Sequence, residues 1–196
     1  MRNDRRGHSN SGERQNPLEN VEWCRVIDHP ESGEAIVVVT EPAMHIIRLK
    51  PKPNSELQTV GKKLYMGNDS SKAEVVQEIL GFARIRDLSN RASTELPIVI
   101  QQMIEDSPDV FINQFYNRAG NLSLKMHAYE LLPGVGNKKA MEMVANRGRA
   151  GWENFEQLNN ECGIVGQELL AKRFVSEIND RGLQPRLLDL LLRKEE

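Results

Sequence analysis

"LLPGVGNKKA", residues 131–140, decides how the second half of this chain is read. Pro133 closes an apolar run, two glycines stand one residue apart, and Lys138 and Lys139 follow. Proline has no N–H to continue a helix, and glycine takes positive φ at no steric cost, so the stretch is a turn. Beyond it, "NKKAMEMVANRG" (137–148) predicts a helix with Asn137 as cap and Ala140, Met143 and Val144 inward. Before it, "NLSLKMHAYELL" (121–132) predicts an amphipathic helix with Leu124, His127, Ala128 and Leu131 on one face.

The first N–H groups of a helix have no carbonyl partner within it. Together with the amides of the turn and the helix dipole they make an anion site. Each position of the turn then has a task. Gly134 and Gly136 expose amides, Val135 plugs the helix pair, Ala140 allows close packing, and Lys138 adds a point charge. Residues 117–151 carry six basic residues (Arg118, Lys125, Lys138, Lys139, Arg147, Arg149) against two acids, Glu130 and Glu142, a local basic patch. The competing reading is a tight connector that holds nothing. The spacing excludes a Walker P-loop, and Lys139 excludes GxGxxG.

Outward from the turn the period stays helical. "STELPIVIQQMIEDS" predicts a helix with a Ser/Thr cap, Pro97 near its first turn, and Leu96, Val99, Ile100, Met103 and Ile104 buried. "SPDVFINQFYNRA" predicts another, with Ser107 as cap, Pro108 first, and Val110, Phe111, Phe115 and Tyr116 inward. "ENFEQLNNECG" and "GQELLAKRFVSEIND" predict two more helices around "GIVG", a degenerate echo of the first turn. "PRLLDLLLRKEE" ends the chain as a leucine-rich helix, either packed on the core or offered to a protein partner.

Residues 21–88 read differently. "WCRVID", the β-branched "AIVVVTE", "AMHIIRLK" and "KKLYMG" predict strands. In the third of these, His45, Ile47 and Leu49 share one face and Met44, Ile46, Arg48 and Lys50 the other. "SKAEVVQEIL" predicts a short helix and "FARIRDLS" a last strand. Short strands with one interposed helix predict a small, OB-like β-barrel. The organisation is thus α+β: a disordered polar tail (1–19), an OB-like β domain (20–89), connecting helices (90–119), a hairpin domain (120–180) and a C-terminal helix or tail (181–196). Arg48, Lys50, Lys52, Lys62 and Lys63, with Glu56 the lone acid, predict either a basic rim on the barrel or a solvated loop. Tyr65 is a base-stacking residue or part of a packed face.

Net charge is −2, so nucleic-acid binding must come from a local patch rather than from the whole chain. Aromatic residues are only 5%, which argues against a large stacking platform. The two cysteines, Cys24 and Cys162, form no CxxC pair and predict a reducing, cytoplasmic compartment. No apolar run is long enough for a transmembrane helix, and the N-terminus lacks the apolar centre of a signal peptide. Nothing predicts an enzyme, a cofactor or a metal: Cys24 and His29 are too few for zinc, and the acids form no cluster. His45 fits a half-buried strand. His127 fits a packed helical position or a helper near phosphate.

The pattern of two apolar residues, Pro, Gly, aliphatic, Gly, x, Lys, x, Ala resembles the helix–hairpin–helix motif, a sequence-tolerant binder of nucleic-acid backbones. "STELP", "FINQFYNRA", "MHAYELLPGVG" and "WENFEQL" occur in the order and spacing of the archaeal family domain of unknown function 655. The resemblance covers roughly residues 60–180 and is strongest over 94–158. It implies an OB-like part joined to a helix–hairpin–helix part, and RNA as ligand in preference to DNA. It places the phosphate contacts at Gly134, Val135, Gly136, Lys138 and Lys139, and Lys125, Arg147 and the barrel rim widen the basic surface. The family carries Lys after the second glycine where this chain has Asn137, which weakens that grip. A DNA-binding accessory protein and a protein-interaction module with a structural hairpin are the rival expectations.

Overall fold

The computed structural model describes residues 16–192. The predicted disordered tail falls mostly outside these, as do the last four residues. Five strands form one antiparallel sheet: β1 (Trp23–Asp28), β2 (Ile36–Glu41), β3 (Ile46–Pro51), β4 (Lys63–Tyr65) and β5 (Val76–Phe82), in the order β4-β1-β2-β3-β5. β4 and β5 are its two edges, and the sheet is a curled half-barrel. Alternation explains its faces. Cys24 and Val26, Ile36 and Val38, Ile47 and Leu49, with Leu64, Met66 and Val76, fill the inner side. Arg48 and Lys50 are exposed on the other.

α1 (Asn90–Glu105) covers the outer side, where Leu96, Val99, Ile100, Met103 and Ile104 meet Ile27, Val39, Met44 and Ile46. The same apolar cluster continues without a break through α2 (Pro108–Phe111) and the π-helical turn after it (Ile112–Tyr116). It then takes in Tyr129 and Val135, α3 (Asn137–Arg147), α4 (Phe155–Cys162), α5 (Gly166–Asn179) and α6 (Leu187–Leu191). The sheet and the helices therefore share one core across the boundary predicted at residue 89.

Several elements differ from the sequence reading. The predicted helix "SKAEVVQEIL" is largely β5, because β3 has an open edge whose ladder needs a partner; Ile79 and Leu80 are exposed there. Of the predicted strand "FARIRDLS", only Phe82 is in a strand, as the end of β5, and Ile85–Asp87 form a single 3₁₀ turn. α1 starts earlier than expected. Ser89 Oγ accepts from Ala92 N–H (3.0 Å) and donates to Asp28 Oδ2 (2.7 Å), which pins the helix to β1. Pro97 therefore lies inside the helix and not in its first turn, where it removes one ladder bond. Ser107 holds the cap position of α2 but its side chain makes no capping bond.

The largest correction concerns residues 121–132. They are not a helix but a β-hairpin, β6 (Asn121–Ser123) with β7 (Met126–His127), followed by one 3₁₀ turn at Ala128–Leu131. A local capping box outweighs the amphipathic period. His127 Nδ1 accepts from Tyr129 N–H (3.1 Å) and Glu130 Oε1 from His127 N–H (2.8 Å), so helical geometry starts only after His127. Pro133 ends it four residues on. Leu124, expected inward, is fully exposed at the hairpin tip.

Candidate nucleic-acid interface

The turn at 133–136 joins that single 3₁₀ turn to α3. Gly134 adopts φ +79°, which only glycine takes freely. Gly136 caps α3 with φ −90° and ψ 177°, and Asn137, the predicted cap, is the first helical residue instead. Asn137 Nδ2 reaches back to Glu130 Oε1 (3.3 Å). Val135 is buried, and its N–H donates to Leu132 O (3.1 Å), so that amide is not offered outward. The α3 ladder begins with Ala140 N–H to Gly136 O (2.9 Å), and the amides of Asn137, Lys138 and Lys139 precede it.

The two glycine turns differ in what surrounds them. A Cβ at Gly136 would meet nothing within 4 Å, and the same holds at Gly134. A Cβ at Gly166, in the echo "GIVG", would stand 2.7 Å from Leu158 Cδ2. There Tyr116 Oη donates to Gly166 O (2.7 Å) and Asn159 Oδ1 accepts from Gly166 N–H (2.8 Å). The echo is closed by packing at its second glycine, while a Cβ at Gly163 would meet nothing within 4 Å. The first turn is open to solvent and borders a groove of about 740 Å³ whose far wall is the end of α5, at Ser176, Asn179 and Asp180.

The predicted cations are placed as follows. Lys138 is exposed and makes no ion pair among the described residues. Lys139 is paired with Glu142 (2.8 Å). Lys125 is exposed at the tip of the β6–β7 hairpin. Arg147 faces the interior: its guanidinium donates to Ala119 O (2.6 Å), Tyr129 Oη (3.1 Å) and Tyr116 O (3.4 Å), and it lies over the Tyr129 ring. Arg48 and Lys50 on β3 are separated from Lys62 and Lys63 at β4 by β1 and β2. Lys63 also pairs with Glu41 (2.7 Å) and sits over Trp23. Tyr65 is buried against Trp23 and accepts from Asp69 N–H (3.2 Å), which makes it part of a packed face.

A second cleft, of about 980 Å³, adjoins the first at Asn179 and runs between the end of β5 and α5. Arg84, Arg86, Arg181 and Arg186 line it, and no Asp or Glu does. The sequence reading missed these residues. The pattern of "ARIR" predicts a strand, and no local signal joins Arg84 to Arg181, nearly a hundred positions away.

His127 gives the approach to the turn a pH dependence. Burial, then the Arg147 charge, push its pKa below the usual 6.5, against a hydrogen bond to Ala119 and the charge of Glu130. Burial lowers His29 likewise, against Asp28; its Nδ1 accepts from Gln58 N–H (2.8 Å). Both rings accept a backbone bond only when neutral. The folded pKa values are depressed, so the unfolded chain binds more protons just below 6.5. Stability is complete above that pH and is lost as pH falls through the folded values. Thermal unfolding followed from pH 7.5 downward (about one unit above the usual histidine value) reads this loss. His127→Asn, whose Oδ1 still accepts, reduces it; an unchanged profile would assign it to His29 alone. Among the described residues no group of His, Cys, Asp and Glu could hold a metal ion, and no helix is long and apolar enough to cross a membrane.

The chain is 24% identical to the uncharacterized protein MJ0038 of Methanocaldococcus jannaschii over 170 residues, covering 83% of this chain and 76% of that protein. The crystal structure of Af1531 from Archaeoglobus fulgidus superposes with a TM-score of 0.75 at 25% identity, over 85% of this chain and 98% of that one. With residues 28–187 matched by the family described as "Protein of unknown function (DUF655)", the chain belongs to that family.

Proposed function

We propose that this is a non-catalytic nucleic-acid-binding protein that grips the sugar–phosphate backbone at the 133–138 turn, with RNA preferred over DNA. The turn serves as a helix–hairpin–helix element whose first helix is cut to one turn, and the curled sheet as its OB-like companion. The observation that carries the reading is Gly136. Its φ is ordinary and its surroundings are empty, so the fold does not need glycine there. A ligand that approaches the backbone does. The amides of Gly136, Asn137 and Lys138 and the unpaired Lys138 ammonium then face one phosphate. A single element of this kind binds with Kd on the order of 10⁻⁴–10⁻⁶ M at physiological salt.

Two observations favour the rival in which the turn is only a connector. The Val135 amide is satisfied within the turn, and Glu130 stands beside it. One variant pair separates the readings. Gly136→Ala changes stability by less than about 1 kcal/mol, since loss of unfolded-state freedom offsets a slightly poorer cap. Combined with Lys138→Glu, it lowers affinity for a structured RNA about tenfold or more and makes the salt dependence shallower by about one unit of slope. Unchanged affinity in a well-folded double variant would leave the connector reading in place.

A further inference from the structure

The cleft between the end of β5 and α5 has a composition unlike the rest of the surface. The chain carries more acids than bases, yet four arginines and no carboxylate line this cleft. They are not equally committed. Arg186 is held inside the fold: Nε pairs with Asp189 (2.6 Å) and its guanidinium donates to Glu177 O (2.9 Å). Arg86 is 3.8 Å from Asp87 and largely solvated, a pair of little strength. Arg84 and Arg181 are exposed and have no ion-pair partner among the described residues. One wall comes from the extended segment after β5 and the other from the end of α5, so two guanidinium groups without an ion-pair partner among the described residues lie in one cleft from segments nearly a hundred positions apart.

The same cleft contains Phe82, which is 48% exposed. The His45 ring meets it at 88° with centroids 5.6 Å apart. A perpendicular contact covers at most one face of a ring, and nearly half of the Phe82 surface is open to solvent. An aromatic ring beside two cations is the arrangement that takes unpaired bases along a phosphate chain; in a duplex every base face inside the stack is already covered.

We propose that this cleft is a second binding site, for single-stranded RNA: Arg84 and Arg181 hold successive phosphates and a base stacks on Phe82. The inference rests on the nucleic-acid reading of the 133–138 turn, and the two sites meet at Asn179, so one strand runs from the turn into the cleft. Such a path combines two weak grips and selects unpaired strands, which the turn alone does not.

The test uses the full chain and fluorescence anisotropy with a labelled oligouridylate of about 12 nucleotides, within the span of such sites. Arg84→Glu with Arg181→Glu lowers affinity about thirtyfold and flattens the salt slope by about two. The corresponding double Lys variant restores most of it. Phe82→Ala, which leaves charge untouched, lowers affinity for the oligouridylate about tenfold but not for a double-stranded RNA of equal length. Circular dichroism verifies that each variant is folded. Normal affinity in both the charge and the Phe82 variants, with Lys138→Glu still weakening binding, would overturn the cleft and leave the turn standing. Loss in the cleft variants with Lys138→Glu without effect would support the cleft and sink the turn. Failure of the unaltered chain to bind oligouridylate at low salt, with a structured RNA still bound, would overturn the cleft alone; failure to bind either would overturn both. Competition by polyglutamate as potent, charge for charge, as by oligouridylate would also overturn the proposal, since it would make the cleft a site for acidic polypeptides.

Discussion

Replacing Glu177 by Ala lowers the free energy of unfolding by about 3–5 kcal/mol, a drop in melting temperature of roughly 6–20 °C for a chain of this size. Glu177 is fully buried on α5. One carboxylate oxygen accepts from Arg173 Nε (2.7 Å) and Leu187 N–H (2.9 Å), the other from Leu188 N–H (2.9 Å). The side chain thus satisfies the first two amides of α6 and the one buried guanidinium facing it. Removal strands all three donors: Arg173 keeps only its bond to Pro185 O (2.7 Å), and α6 loses the group that starts it. A buried ion pair need not outdo a well-packed apolar pair, but breaking one side alone leaves a desolvated charge, and that asymmetry sets the size of the effect. Differential scanning calorimetry measures it. A loss below about 1 kcal/mol would mean that α6 detaches at little cost and water reaches Arg173.

Arg147→Met separates stability from binding. We expect it to cost about 2–3 kcal/mol, because three charge-assisted bonds to Ala119 O, Tyr116 O and Tyr129 Oη are lost in a half-buried site. Tyr129 donates to Tyr116 O and, with burial raising its pKa to about 12, remains a donor at every working pH, so it cannot take over the role of the guanidinium. Lys138→Met, at an exposed position, changes stability by no more than about 0.5 kcal/mol. RNA affinity behaves in reverse: near normal for folded Arg147→Met, reduced for Lys138→Met. Chemical denaturation beside anisotropy checks both. A stable Arg147→Met protein with weakened binding would return Arg147 to the ligand surface.

Arg147 and Lys138 show what patterning can and cannot reveal. The helices α1, α3, α4 and α5 and the strands β1 to β4 were legible, because the apolar period reports which side of an element is covered. The hairpin at 121–127 was not, because the spacing of Leu124, His127 and Leu131 satisfies a helical wheel while the His127–Glu130 capping box, a contact of one turn, decides the backbone. β5 was misread because its partner, β3, lies some thirty residues upstream, and pairing is not a local property. The turn at 133–136 and the openness of its glycines followed from local chemistry. The direction of Arg147 did not: a count of charges treats every cation as exposed, and here one of six in the basic stretch is an internal brace. The arginine cleft was invisible for the same reason as β5, since its walls come from distant segments.

The common core of sheet and helices has a mechanical consequence. Met44 and Ile46 on one side and Phe174 and Leu187 on the other belong to the same packed cluster, so the walls of the arginine cleft cannot part without opening that cluster. Its width is tied to the packing beneath it. Interiors are packed nearly as densely as crystals and yield little to pressure. The gauge of the cleft is therefore written in the volumes of side chains buried beneath it, and a methylene added or removed among them would retune it from within.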